Sequence, residues 1–131
     1  MSLGSVNNID YVILLCADVT AMRQFYSEVM GFQIEQDYPN WVSFRVGSGL
    51  LTLRPRGKWL SWEDGPIPNG SASLQLAFRV APAAVDACHL TLQEKQVKIL
   101  SPPREIAGGF GHRAVFFRDP EGNVIEFYAE V

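Results

Sequence analysis

At 131 residues, 47% hydrophobic and 19% charged, the chain is large enough for one compact unit with a real core and has the make-up of an ordinary globular protein. Its net charge of −3 gives no electrostatic reason to expect nucleic acid or an anionic membrane surface as a partner. No apolar run approaches the roughly 20 residues of a membrane span. The N-terminus lacks the basic patch and long apolar stretch of a signal peptide, so a cytoplasmic setting is expected. Cys16 and Cys88 have no metal-type spacing and lie in apolar segments, where a thiol serves as a small buried hydrophobe.

Tyr11–Cys16 (YVILLC) is a short apolar run rich in β-formers and reads as a buried strand. Asp18 then stands where a helix needs an N-cap, with Thr20 a second candidate. Met22, Phe25, Tyr26 and Val29 follow at i, i+3, i+4 and i+7, one face of an amphipathic helix, and Gly31 takes the C′ position that ends it. Residues 32–38, Trp41–Val46 and 50–54 read as three strands, with Pro39-Asn40 and Gly47-Ser48-Gly49 as the turns between them. The first unit is strand, helix, strand, strand, strand.

Residues 55–72 break that rhythm. Pro55, Gly57, Gly65, Pro66, Pro68 and Gly70 mark a loop, yet it holds Trp59, Leu60 and Trp62. It reads either as a functional lid or as a linker that parks its tryptophans on the body of the protein. The pattern then restarts with a strand over 74–80. A helix over 83–95 carries Val85, Cys88 and Leu92 on one face, followed by a strand over 97–100 and a Pro/Gly-rich loop over 101–109. A hairpin over 111–128 closes the unit around Asp119-Pro120-Glu121-Gly122-Asn123, where Pro presets φ and Gly supplies the left-handed turn residue. After the turn, Val124, Glu126 and Tyr128 share one face, and Ile125 and Phe127 the other. Glu126 is either a solvated strand residue or a carboxylate aimed at something. The segment after Gln75 parallels the segment after Tyr11, 64 residues earlier, so the chain reads as two copies of one βαβββ module. Module one covers about 8–55, the loop 56–72, and module two about 73–130.

Asp18 followed by Phe25-Tyr26 and Gly31-Phe32, together with the closing DPEGNVIEF of 119–127, resembles the vicinal oxygen chelate superfamily. That superfamily includes glyoxalase I, bleomycin-resistance proteins, fosfomycin-resistance enzymes and extradiol dioxygenases. The resemblance runs from Ile9 to Ala129. It implies an α+β fold of two βαβββ modules whose curved mixed sheets form a cleft, commonly completed by a homodimer. It also implies a divalent metal held by the first strand of each module and by the last strand of one or both. Carried over by position, those ligand sites fall on Tyr11, Thr52, Gln75 and Glu126.

Only Glu126 has ligand chemistry. A neutral phenol keeps its proton up to about pH 10, and hydroxyl or amide oxygens supply neither charge nor softness for a transition metal. Neither histidine, His89 nor His112, falls on a ligand position. What remains is a polar and aromatic lining, in which strand parity puts Tyr11, Thr52, Arg54, Gln75, Arg79, Glu126 and Tyr128 inward and Trp41, Trp59 and Trp62 at the rim. Arg54 and Arg79 pair with Glu126 in the empty cleft, clamp an anionic ligand, or are solvated strand residues. The expected function is that of the metal-free bleomycin-resistance branch, binding a small amphipathic molecule with no cofactor. The alternatives are a metal-dependent lyase, isomerase or dioxygenase of the glyoxalase I type, and a metal-free enzyme using Glu126 as general base. The expected partners are a small-molecule ligand and a second copy of the chain, with neither nucleic acid nor membrane.

Overall fold

The computed structural model describes residues 4–108 and 111–131. The chain divides into two units, Met1–Gly65 and Pro66–Val131.

The first unit opens with β1 (Tyr11–Cys16) and α1 (Val19–Gln24), then continues through a π-helical turn (Phe25–Val29). Asp18 is the N-cap, its Oδ1 accepting from the Ala21 N–H at 3.0 Å, which decides between the two sequence candidates. The turn closes with Met30 N–H donating to the Phe25 carbonyl at 3.0 Å. The neighbours Phe25 and Tyr26 are both buried there and meet edge to face at 5.1 Å. Gly31 ends the helix at φ +73°, a conformation that a side chain would strain.

Three strands follow: β2 (Ile34–Tyr38), β3 (Trp41–Val46) and β4 (Gly49–Pro55). The sheet order is β1-β4-β3-β2, with β1 and β4 parallel and the other pairs antiparallel. One face carries the core: Leu14, Met22, Tyr26, Phe44 and Leu53 are fully or almost fully buried. The tryptophan-bearing segment is no open loop. It holds a two-stranded hairpin, β5 (Lys58–Trp59) and β6 (Trp62–Glu63), with Trp59 opposite Trp62.

The second unit repeats the plan with β7 (Gln75–Arg79), α2 (Pro82–Glu94), β8 (Ile99–Glu105), β9 (His112–Arg118) and β10 (Val124–Glu130). Its sheet order is β7-β10-β9-β8, with β7 and β10 parallel. Pro82 begins the helix, where its missing N–H costs nothing. Val85, Val115 and Ala129 form a buried cluster with Val80, Ile99 and Phe127 packed against it, and Leu92, Phe117 and Ile125 are buried as well.

The DPEGN turn is a locked joint. Asp119 Oδ1 accepts from the Glu121 and Asn123 N–H groups, its Oδ2 accepts from Asn123 Nδ2 at 2.8 Å, and Asn123 Oδ1 accepts from Ser73 Oγ at 2.8 Å.

Most boundaries shift by one or two residues from the sequence reading, and one shifts further. The strand expected over 97–100 and the loop expected over 101–109 are instead a strand running to Glu105, while Gly109 lies outside the described residues. Pro102 and Pro103 are tolerated because β8 is an edge strand and its register with β9 shifts between Ser101 and Arg104.

Candidate functional site

In the first unit, directly opposed residues share a face. Tyr11 pairs with Leu50, Ile13 with Thr52, and Thr52 with Ser43. Alternation therefore puts Tyr11, Ile13, Trp41, Ser43, Thr52 and Arg54 on the face opposite the Leu14–Phe44–Leu53 core. Tyr11 is 43% exposed, Ile13 39% and Trp62 48%, whereas Thr52 is fully buried, its hydroxyl 2.7 Å from that of Ser43.

The aromatic rings form a run. Tyr11 and Trp41 have centroids 6.0 Å apart, and Trp41 stacks on Trp59 at 6.3 Å with 24° between planes. Gln36 steadies Trp41 by accepting from its Nε1–H at 3.1 Å. Beyond Trp59, the Arg54 guanidinium carbon lies 4.6 Å from the ring centroid, a cation–π contact.

Arg54 is neither a solvated strand residue nor an open anion clamp. Its side chain is 6% exposed, and its Nη1 and Nη2 donate to the two carboxylate oxygens of Asp64 at 2.8 and 2.9 Å. Asp64 also accepts from the Gly57 N–H at 2.9 Å and from Trp62 Nε1 at 3.1 Å. The Arg54 guanidinium, then the Gly57 N–H, hold the Asp64 carboxyl well below the usual carboxylate range. Sequence reasoning missed Asp64. The available signal was an Asp-Gly pair closing a tryptophan-rich turn ten residues after a strand arginine.

In the second unit the register puts Gln75, Ala77 and Arg79 on one face with Val124, Glu126 and Tyr128. Gln75 Nε2 donates to Glu126 Oε1 at 2.9 Å. Tyr128 packs against His112 at 4.7 Å between ring centroids. Arg79 donates to Glu130 Oε2 at 3.0 Å, with both side chains more than half exposed. On the helix side, Arg113 pairs with Asp86 and lowers the pKa of that carboxyl, while burial raises that of the Cys88 thiol.

Residues 8–127 match the family model described as Glyoxalase/Bleomycin resistance protein/Dioxygenase superfamily. The chain belongs to this superfamily. A relative within reach of sequence comparison is virulence protein STM3117 of Salmonella typhimurium, 26% identical over 122 residues, covering 92% of this chain and 83% of that one. Solved structures that share the fold include the following two. A glyoxalase/bleomycin resistance protein/dioxygenase from Nocardioides superposes with TM-score 0.78 at 21% identity, covering 98% of this chain and 86% of that one. A lactoylglutathione lyase from Agrobacterium tumefaciens gives 0.75 at 21% identity, covering 96% of each.

The superfamily's metal does not fit the residues at its ligand positions. The Thr52 hydroxyl is engaged with Ser43, and the Gln75 amide turns an N–H, not a lone pair, toward Glu126. Tyr11 offers only a phenol oxygen, a weak donor to a transition metal. Among the described residues, no group of three or more His, Cys, Asp or Glu is placed to hold a metal ion. Nor, among them, is any helix long and apolar enough to cross a membrane.

Proposed function

We propose that this superfamily member is a binding protein that takes up a small amphipathic molecule on the aromatic face of its first unit, without a metal at the superfamily's ligand positions. The observation that carries the reading is the run Tyr11, Trp41, Trp59, continued by the Arg54 cation. It gives a broad π surface beside exposed Trp62 and Ile13, able to cover a ligand's apolar part. The protein works in the cytoplasm as a homodimer in this reading, and light scattering at micromolar concentration giving a 14.6 kDa species would remove the dimer.

Glu126, held by an amide donor in mid-strand, is the group that a metal-free catalytic reading would use as its base. The lyase activity named for the Agrobacterium structure has no support from the donor set found here.

Native mass spectrometry and metal analysis on protein purified with and without a chelator test the proposal. The expected result is a bound organic mass or a small-molecule binder recovered from a metabolite panel, indifferent to chelation. Stoichiometric transition metal whose removal abolishes binding would overturn it.

A further inference from the structure

Asp64 lies just past β6, and its side chain is 3% exposed. Oδ1 accepts from Arg54 Nη2 and Trp62 Nε1, and Oδ2 from Arg54 Nη1 and the Gly57 N–H. One carboxylate thus reaches both indoles of the hairpin, Trp62 directly and Trp59 through the guanidinium beneath it.

The neck of the hairpin has other closures. The Asp64 N–H donates to the Gly57 carbonyl at 3.0 Å, and Arg56 Nη1 to the Gly65 carbonyl at 3.0 Å. A buried ion pair is a costly way to close a turn, since both charges leave water. What a bidentate fork adds is direction: it fixes the plane of the guanidinium, and so the ring lying over it. Arg54 Nη1 also donates to the Pro55 carbonyl at 3.0 Å, which anchors the fork to its own strand.

We propose that Asp64 is a positioning residue for ligand binding, holding Arg54 as the platform for Trp59 and pinning the indole N–H of Trp62 so that both rings are presented preformed. The inference rests on the binding function above and assigns a role to a residue outside the aromatic face. Preforming the rings spares the ligand the cost of ordering them. It also neutralises Arg54, so the face selects by ring contact, not by charge.

Two readouts test this. Time-resolved fluorescence anisotropy, in backgrounds where two of Trp41, Trp59 and Trp62 are replaced by Phe, reports how freely each remaining hairpin indole turns. Titration with N-phenyl-1-naphthylamine, an uncharged amphipathic probe, reports binding. Asp64→Asn is expected to loosen both hairpin indoles and weaken the probe at least tenfold, and Asp64→Glu to restore part of each.

Should Asp64→Asn fail to fold, the double variant Arg54→Met/Asp64→Leu, which replaces the pair by apolar side chains of similar bulk, is expected to loosen Trp62 and weaken the probe likewise. A folded variant of either kind that keeps wild-type ring rigidity or wild-type affinity overturns the proposal. If the wild type takes up no probe, the binding function has failed separately, and the ring-positioning role stands or falls on the anisotropy alone.

Discussion

The two units are one module folded twice, and position-by-position comparison shows where they stayed alike. Each sheet has its first strand parallel to its last. Tyr11 opposite Leu50 corresponds to Gln75 opposite Val124, so Leu51 matches Ile125, and Phe44 matches Phe117 across the next strand. On that helix-facing side both units put a fully buried phenylalanine in the same place. On the other side the matched positions are Thr52 and Glu126, then Arg54 and Tyr128, with nothing in common chemically. The fold constrains only the side that packs under the helix. The opposite face was free to become an aromatic surface with a buried ion pair in one unit and an amide–carboxylate pair in the other.

The core equivalence predicts the largest effects. Phe44→Ala and Phe117→Ala should each cost about 3–5 kcal/mol in urea unfolding. A difference between them of more than about 2 kcal/mol would break the correspondence.

Next comes the ion pair, which the second unit lacks at the matching position. Because Asp64's pKa in the fold lies below its unfolded value, its contribution is fully present above about pH 4 and fades as pH falls through the folded value. Asp64→Asn should therefore be less stable than wild type at neutral pH, with the gap narrowing on acidification. A gap that does not change between pH 7 and pH 2 would show that the carboxylate's charge plays no part.

The turns sharpen the contrast from the other side. Asn123→Ala takes one hydrogen-bond donor from the buried Asp119 carboxylate and should cost about 1–3 kcal/mol. Ser48→Ala, in the matching turn of the first unit and exposed, should stay within about 0.5 kcal/mol. The smallest effect belongs to the exposed Arg79–Glu130 pair. There Arg79→Ala should change stability by less than about 1 kcal/mol, and by less still at high salt.

Much of this architecture was legible in the residues. The repeat after Tyr11 and Gln75, the Asp18 cap and the DPEGN turn are all local patterns whose physics acts over a few residues. The helical spacing of Met22, Phe25, Tyr26 and Val29, by contrast, gave no sign that the helix turns π-helical over Phe25–Val29. The reach of β8 through Pro102 and Pro103 was not, because tolerance for proline depends on being at a sheet edge, which is a property of the assembled sheet. The fate of Arg54 was not legible either. Its alternation on β4 marked the face correctly, but its partner lies beyond the strand in a segment whose prolines and glycines spell a loop, and only the folded hairpin returns Asp64 to it. At three of the four superfamily ligand positions, Tyr11, Thr52 and Gln75, weak metal donors could be read from residue type alone. The hydrogen bonds of Thr52 to Ser43 and of Gln75 to Glu126 add the geometric reason.

The central claim is that ligand is held by the first unit's aromatic face and not by a metal. Titration calorimetry with the recovered ligand, on wild type and Trp59→Ala, each with and without a chelator, tests it most directly. The account predicts at least a tenfold loss for Trp59→Ala, about 1.4 kcal/mol or more, and no change on chelation. Unaltered affinity in Trp59→Ala, or binding lost with the metal, would contradict it.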